Sequence, residues 1–346
     1  MKAIHIPQFT PTPSTLQPTS VPKPTPTPTQ YTIRITHCSP QHADILHAQG
    51  THQNNNAKKG WCHPPFILGY DFAGVVDAVP ASASGDHAFA VGARVFGASI
   101  GAFAEYICVA PAAIRRVPDG VSNEAACAVS GGAVSYAAVV HVARVRAGET
   151  VLVSGASGGL GSVCCAVAGA VGAKVIALAG DGEKARRMES EMSGLAAVVV
   201  VDDEGKWTDR VLELTQGQGV DVVLDNTGMV NDALRCLAYR GRIVILGFAA
   251  RKGVMESVKM NKLLLKSATV VGYRFGESGR RKPDELARIW EGYLGMLQRG
   301  ELKPVLYGQY RGLGDVGRAL GDLEKRKVFG KVVVRVAEEQ EGRARL

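Results

Sequence analysis

The stretch VLVSGASGGLGSVCCAVAGAVGAKVIALAGDGEK, residues 151–184, carries the densest chemical signal in the chain. Its turn, Ser154-Gly155-Ala156-Ser157-Gly158-Gly159-Leu160-Gly161, follows an apolar run and opens a small-residue helical pattern. Small residues there let the backbone approach an anion, whose charge is stabilised by the free N–H groups of a helix N-terminus. Gly161 permits that helix to pack closely on the strand before it. A second apolar run, Lys174–Ala179, follows at the spacing of a dinucleotide-binding unit. In NAD sites a carboxylate about 20 residues beyond the turn accepts hydrogen bonds from the ribose 2′-OH. Here that tip is the neutral Ala179-Gly180, and Lys184 stands close by with Arg186 and Arg187 behind it. A neutral tip tolerates a 2′-phosphate and a lysine can bond to it, so the expected coenzyme is NADPH. Asp181 is the dissenting residue, since turned inward it would serve NAD instead.

These groups need elements to position them. Apolar runs predict strands at 151–154, 174–179, 197–201, 220–225, 242–246 and 269–272, with helices at 162–171, 184–193 and 207–215 between them. Such alternation implies right-handed crossovers and a parallel sheet covered on both faces. The first third is different. It reads as β-rich, with strands at 1–6 and 31–36 and generous loops at 54–60 and 81–87. The Pro/Thr-rich segment at 11–30 is expected to be extended and irregular, because proline removes donors and fixes φ. Its plain reading is a surface connection; the alternative is a docking motif. An amphipathic helix is expected over 283–299, a second over 315–325, and the closing KVVVRV reads as a strand returning to the β-rich part.

With 346 residues, the chain is long enough for two domains. The net charge of +8 comes from dispersed cations rather than an aromatic-laced stripe, which argues against nucleic acid. No apolar run is long enough to span a bilayer, and the N-terminus does not resemble a signal or transit peptide. The seven cysteines form no C-x-x-C pair and read as reduced thiols. A cytoplasmic enzyme is the expectation.

Taken together, MKAIHI, PPFILGYDFAGVV, GARVFG, GAFAEYICV, SGASGGLGS, RGRIVILG and FGKVVVRV resemble the zinc-free medium-chain dehydrogenase/reductases of the quinone oxidoreductase (zeta-crystallin-like) family. The resemblance runs over nearly the whole chain. It implies an α/β protein made of a GroES-like β-rich catalytic domain and a Rossmann doubly wound domain. The domain boundaries it suggests are 1–125, 126–272 for the NADPH-binding domain, and 273–346 returning to the catalytic domain. By the same resemblance Ser157, Gly158, Gly159 and Leu160 hold the pyrophosphate, and Gly180 and Lys184 meet the adenosine phosphate. Asn226, Gly247, Phe248, Ala249, Tyr273, Arg274 and Phe275 line the ribose and nicotinamide path, and Lys331 lies near the cofactor. The family also implies homodimers.

Zinc-dependent relatives carry Gly-His-Glu where this chain has Gly69-Tyr70-Asp71, and a cysteine where it has Ser130. Tyrosine and serine are poor zinc ligands, so no metal is expected. The N-x-x-D segment of the zinc-free reductases appears with Gln41 and Asp44, and their following tyrosine as His52. A threonine expected at the nicotinamide is Val134. His52 and Tyr70 are the candidate proton donors, against plain loop and packing roles.

Without a zinc ion to polarise an alcohol oxygen, conjugated acceptors suit the site: a quinone or an α,β-unsaturated carbonyl. One alternative is a trans-acting enoyl reductase or tailoring enzyme of a biosynthetic pathway; another is a non-catalytic, crystallin-like NADPH-binding protein. A short-chain dehydrogenase is excluded, because residues 1–153 precede the turn and no tyrosine after it has a lysine at +4.

Overall fold

A computed structural model describes residues 1–81, 88–202, 204–249 and 256–337; most of the polar loop expected at 81–87 lies outside them. The chain divides into two compact units, residues 1–131 with 306–346, and residues 132–305.

The second unit is built on a six-stranded parallel sheet: β1 (Thr150–Val153), β2 (Lys174–Ala179), β3 (Leu195–Val200), β4 (Val220–Asp225), β5 (Leu237–Ile245) and β6 (Thr269–Gly272). Its order is β3-β2-β1-β4-β5-β6. Successive strands march outward from β1 in one direction as far as β3, and β4 then starts again on the other side of β1. Strand order therefore reverses between β1 and β4, where Val151, Leu152 and Val153 pair with Val222, Val223 and Leu224. Open α/β sheets bind ligands outside the carboxyl ends of strands at such a point. Leu152, Val223, Leu178 and Ile243 are buried, as strands sandwiched by helices require.

Helix α1 (Gly159–Ala170) follows β1, and α2 (Gly182–Glu191) follows β2. The first turn of α1 lies so close to the preceding loop that a Cβ at Gly161 would stand 2.2 Å from the Gly155 carbonyl oxygen. The small side chains of GLGSVCCAVAGA are what permit this approach.

The break between units falls at 131/132 and 305/306, later in both places than the 125/126 and 272/273 expected from the sequence. Residues 273–305 stay with the parallel sheet because the helix Pro283–Gln298 packs on the helix Ala133–Ala137. Gly292 makes the contact possible, since a Cβ there would be 2.0 Å from the Tyr136 hydroxyl.

In the first unit the strand Tyr31–Ser39 is central. It pairs antiparallel with Asp71–Ala78, Tyr106–Val109 and the closing strand Val334–Arg335, whose Val334 and Arg335 face Cys38 and His37. Ile33, Ile35, Phe72, Val95, Phe103 and Val334 form its core. The Pro/Thr-rich segment is less irregular than its composition suggests. Thr19–Ser20 pairs with Lys2–Ala3, and Ser14 and Leu16 lie on Gly317 of the helix Asp315–Glu324, where a Cβ would be 2.6 Å from the Leu16 oxygen. No single helix among the described residues is long and apolar enough to cross a membrane, and all seven cysteines are free thiols.

Candidate functional site

In the second unit the chemistry gathers at the reversal between β1 and β4. The turn after β1 begins with Gly155 at φ +60° and closes with a Gly158 N–H to Gly155 oxygen bond of 3.0 Å. Gly158 then caps α1 in extended conformation. The first N–H groups of an α-helix, here Gly159, Leu160 and Gly161, have no acceptor within the helix. They are suited to an anion.

The turn after β4 is bound to the first by a residue the sequence reading did not single out. Asp225 is fully buried. Its Oδ1 accepts from Ser154 Oγ at 2.7 Å, from Thr227 N and Gly228 N at 3.0 Å, and from Thr227 Oγ1 at 3.2 Å. Its Oδ2 accepts from Met229 N at 2.8 Å. Asn226 donates its amide to the Ser154 carbonyl at 2.9 Å, while its Oδ1 is buried without a hydrogen-bond partner. An orphaned acceptor at this point fits a hydroxyl or amide of a bound nucleotide, because a buried polar atom left unpaired is costly. The turn after β5 joins the same frame: Gly247 N bonds to the Asp225 carbonyl at 3.2 Å and Ala249 N to that of Asn226 at 3.3 Å. Phe248 beside them is half exposed. Thus the β1 turn and the β4 turn, which carry Ser157–Leu160 and Asn226, are tied at Ser154 by side-chain bonds, and Gly247–Ala249 joins them by main-chain bonds. Tyr273 follows, its N–H on the Ile245 carbonyl and its ring edge-on to Phe275. Burial, then the charge of Glu285, pushes the Tyr273 hydroxyl up to about 12. Arg274 is within ion-pair reach of Glu277 at 3.8 Å.

At the end of β2 the dissenting carboxylate has a task. Asp181 is the N-cap of α2, with Oδ1 accepting the Lys184 N–H at 2.8 Å. Such caps contribute about 0.5–2 kcal/mol. Gly180 has nothing within 4 Å of where a Cβ would stand, so the tip of β2 is open and carries no carboxylate of its own. The Lys184 ammonium lies 3.8 Å from Asp181 Oδ2, with a mostly covered side chain.

The first unit holds the other candidates. Asp71 is buried and pairs with Lys331 Nζ at 3.2 Å, so the lysine of the FGK segment is engaged by a carboxylate. Ser130 Oγ donates to the Cys127 carbonyl at 2.9 Å. The positions that would supply zinc ligands are therefore a tyrosine, a carboxylate bound to an ammonium, and a hydroxyl committed to a backbone carbonyl. They do not form a zinc donor set, and no group of three or more His, Cys, Asp or Glu suited to a metal occurs among the described residues. The Gln41–Asp44 pattern is the start of the helix His42–Gln49: Asp44 Oδ2 accepts the Gln41 N–H at 2.9 Å. Burial raises the Asp44 carboxyl well above the ordinary range; the Gln41 bond opposes this, Asp71 adds to it, and Lys331 offsets part of it.

His52 caps the turn Gln53–Asn55, its Nδ1 accepting the Asn54 N–H at 3.1 Å. Its ring stacks on His47 with centroids 4.0 Å apart and planes 29° apart, and His47 in turn lies 5.3 Å from the Tyr70 ring. The two proton-donor candidates thus share one neighbour, His47, which sequence spacing did not reveal.

Two family models match the chain: an alcohol dehydrogenase GroES-like domain over residues 27–119, and a zinc-binding dehydrogenase over residues 159–291. Quinone oxidoreductase-like protein 2 of Bos taurus is 33% identical over 313 residues, covering 89% of this chain and 85% of its own. A probable oxidoreductase from Mycobacterium abscessus superposes with a TM-score of 0.84 at 30% identity, over 97% of this chain and 98% of its own. A mycobacterial protein solved in complex with NADPH superposes with a TM-score of 0.85 at 27% identity, over 97% and 100%.

Proposed function

The chain belongs to the quinone oxidoreductase family of zinc-free medium-chain dehydrogenase/reductases, and from that premise we propose that it is an NADPH-dependent reductase of conjugated acceptors, a quinone or an α,β-unsaturated carbonyl. The observation that carries the coenzyme choice is the open tip of β2 beside Lys184, with the carboxylate next in sequence, Asp181, occupied as a helix cap. The complex of the mycobacterial relative with NADPH supports the same choice.

In this reading Ser157, Gly158, Gly159 and Leu160 hold the diphosphate with main-chain N–H groups, and the α1 terminus stabilises its charge. Gly180 leaves room for the adenosine phosphate and Lys184 binds it. Asn226 offers its orphaned Oδ1 to the ribose or carboxamide. The turn Gly247-Phe248-Ala249 and the segment Tyr273-Arg274-Phe275 complete the nucleotide's surroundings. When bound, NADPH supplies a hydride which, with one proton, reduces a quinone to the hydroquinone or saturates an enone C=C. His52 and Tyr70 are the proposed proton donors to the acceptor oxygen. Lys331, held by Asp71, contributes positive charge near the coenzyme. The free thiols suit a reducing compartment, the cytoplasm. Exposed Met260, Leu264 and Leu265, on the helix leading into edge strand β6, support a homodimer.

Loss of NADPH absorbance with a panel of quinones and enones tests the function. Turnover with at least one acceptor, and tighter binding of NADPH than of NADH, is the expected result. Preference for NADH, or indifference to both coenzymes, would overturn it.

A further inference from the structure

The Pro/Thr-rich segment has no part in the proposed reaction, and its second half has a geometry of its own. From 21 to 28 every residue is a proline or the residue before one: Val21-Pro22, Lys23-Pro24, Thr25-Pro26, Thr27-Pro28. Proline fixes φ at about −65°, and its ring pushes the preceding residue out of the α region. Local sterics therefore drive the whole stretch to polyproline II, a helix of about three residues per turn. Burial follows that period. Val21, Pro24 and Gln30, on one edge, are half-buried, while Pro22, Lys23, Thr25 and Pro26 on the other two are exposed. Thr27, on the first edge, is exposed at the turn that Gln30 closes.

The helix is held on the first unit at several points. Val21 exchanges two bonds with Met1, at 2.9 and 2.7 Å. Lys23 Nζ lies 2.9 Å from Asp77 Oδ2 and 3.8 Å over the Tyr106 ring. The Pro24 carbonyl accepts from Cys108 Sγ at 3.6 Å. An aromatic groove that reads P-x-x-P needs prolines three apart on one edge. Here they recur at every second residue, so successive prolines fall on different edges. What does recur is a hydroxyl followed by proline.

The fold distinguishes sharply among such dipeptides. Thr10 donates its N–H to the Ala48 carbonyl at 2.8 Å, and its Oγ1 accepts the Thr12 N–H at 3.3 Å. The Thr12 carbonyl accepts from Thr15 N and Oγ1, and Pro13 after it is buried. Thr27 gives its N–H to Gln30 Oε1 at 3.0 Å and its carbonyl to Gln30 N at 3.1 Å. Ser39, before Pro40, is buried and donates to the Val332 carbonyl at 2.6 Å. Thr25 differs from all of them. It is exposed, and among the described residues no hydrogen bond engages its N–H, hydroxyl or carbonyl. An enzyme that takes an extended substrate segment needs those groups available.

We propose that Thr25 is a phosphorylation site, the acceptor of a proline-directed protein kinase. In the transfer the Thr25 hydroxyl oxygen bonds to the γ-phosphorus of ATP, the bond from that phosphorus to ADP breaks, and the hydroxyl proton passes to the kinase's base. The product adds a charge of about −1.5 to −2, in a stretch where the first acidic residue of the chain is Asp44. The site is independent of the coenzyme reading.

The folded full chain, incubated with ATP and a purified mitogen-activated protein kinase, tests this by mass spectrometry. Phosphate is expected on Thr25 at least tenfold faster than on Thr10, Thr12, Thr27 or Ser39, and Thr25→Ala should remove that fast incorporation. In a synthetic peptide of residues 8–30, where no fold constrains them, Thr12 and Thr25 should react within about threefold of each other. No incorporation into the folded chain, faster modification of any of the other four, or equal rates at Thr12 and Thr25 in the folded chain would each overturn the proposal. So would a peptide that keeps the tenfold ranking, since the fold would then have no part in selecting the site.

Discussion

Ser154 donates its hydroxyl to Asp225 Oδ1 at 2.7 Å, joining the ends of β1 and β4 through two buried side chains. Every other bond of that carboxylate runs to the turn at 227–229. The neutral amide in Asp225→Asn would turn an NH₂ toward at least one donor. Leaving one buried donor unmet costs about 1–3 kcal/mol, so urea unfolding should show a loss of at least that size. NADPH affinity should fall as well, because Asn226 and the Gly247 turn are fixed by the same residue.

Lys184→Ala is expected to weaken NADPH binding by about 1.5–3 kcal/mol, the value of a hydrogen bond to a charged group. NADH affinity should barely change, because the lysine is assigned to the phosphate that NADH lacks. Paired titrations of both coenzymes check this; an equal effect on the two would remove the lysine from phosphate recognition.

Gly161→Ala would bring a methyl group to 2.2 Å from a backbone oxygen, and the loop must shift to admit it. Overpacking of this kind costs about 1–3 kcal/mol. A lower Tm together with weakened coenzyme binding is expected, because the shifted loop is the one proposed to hold the diphosphate.

How much of this was legible in the sequence depends on how local each cause is. The strands at 174–179, 220–225 and 269–272 match the apolar runs that predict them, since glycine and aspartate punctuate their ends. The glycine turn was equally plain, because its spacing carries its own geometry. β5 begins earlier than expected, at Leu237, and its pairing with β4 shifts register between Val220 and Val222; the polar Tyr239-Arg240 inside it hides the strand. The helix Val230–Cys236 is too short to show a period, and its first N–H groups are met by Glu256, far along the chain. Asp225 and His47 were missed for the same reason. Their partners are set by the sheet crossover and by the chain reversal at Gly50, where φ is +73°, and neither shows as a spacing.

The Asp71–Lys331 pair is largely buried, with side chains 3% and 11% exposed. Lys331→Met leaves the carboxylate unpaired, and breaking a buried pair from one side costs about 3–5 kcal/mol. The double change Asp71→Asn with Lys331→Met should recover much of that loss in chemical denaturation. If the single variant were as stable as wild type, the pair would have no structural role.

Acid should destabilise the protein partly through His47. Its folded value lies near 4, below the unfolded 6.5, so between those values the unfolded chain takes a proton that the folded chain refuses. Stability is therefore lost as pH falls from 6.5 toward 4, by about 3 kcal/mol in total. Stability curves of His47→Phe should be flatter than wild type across that window.

The vacancy beside Gly180 and the occupation of Asp181 have a consequence for how this lineage can drift. An acid is already present one residue past the tip, yet it is tethered to its own helix as the cap of α2. A single codon change from glycine to aspartate at 180 would meet no steric barrier. Under the proposed reading, a carboxylate at 180 would stand where the coenzyme's extra phosphate is assigned, so the room that glycine leaves is also the room in which that assignment could be reversed.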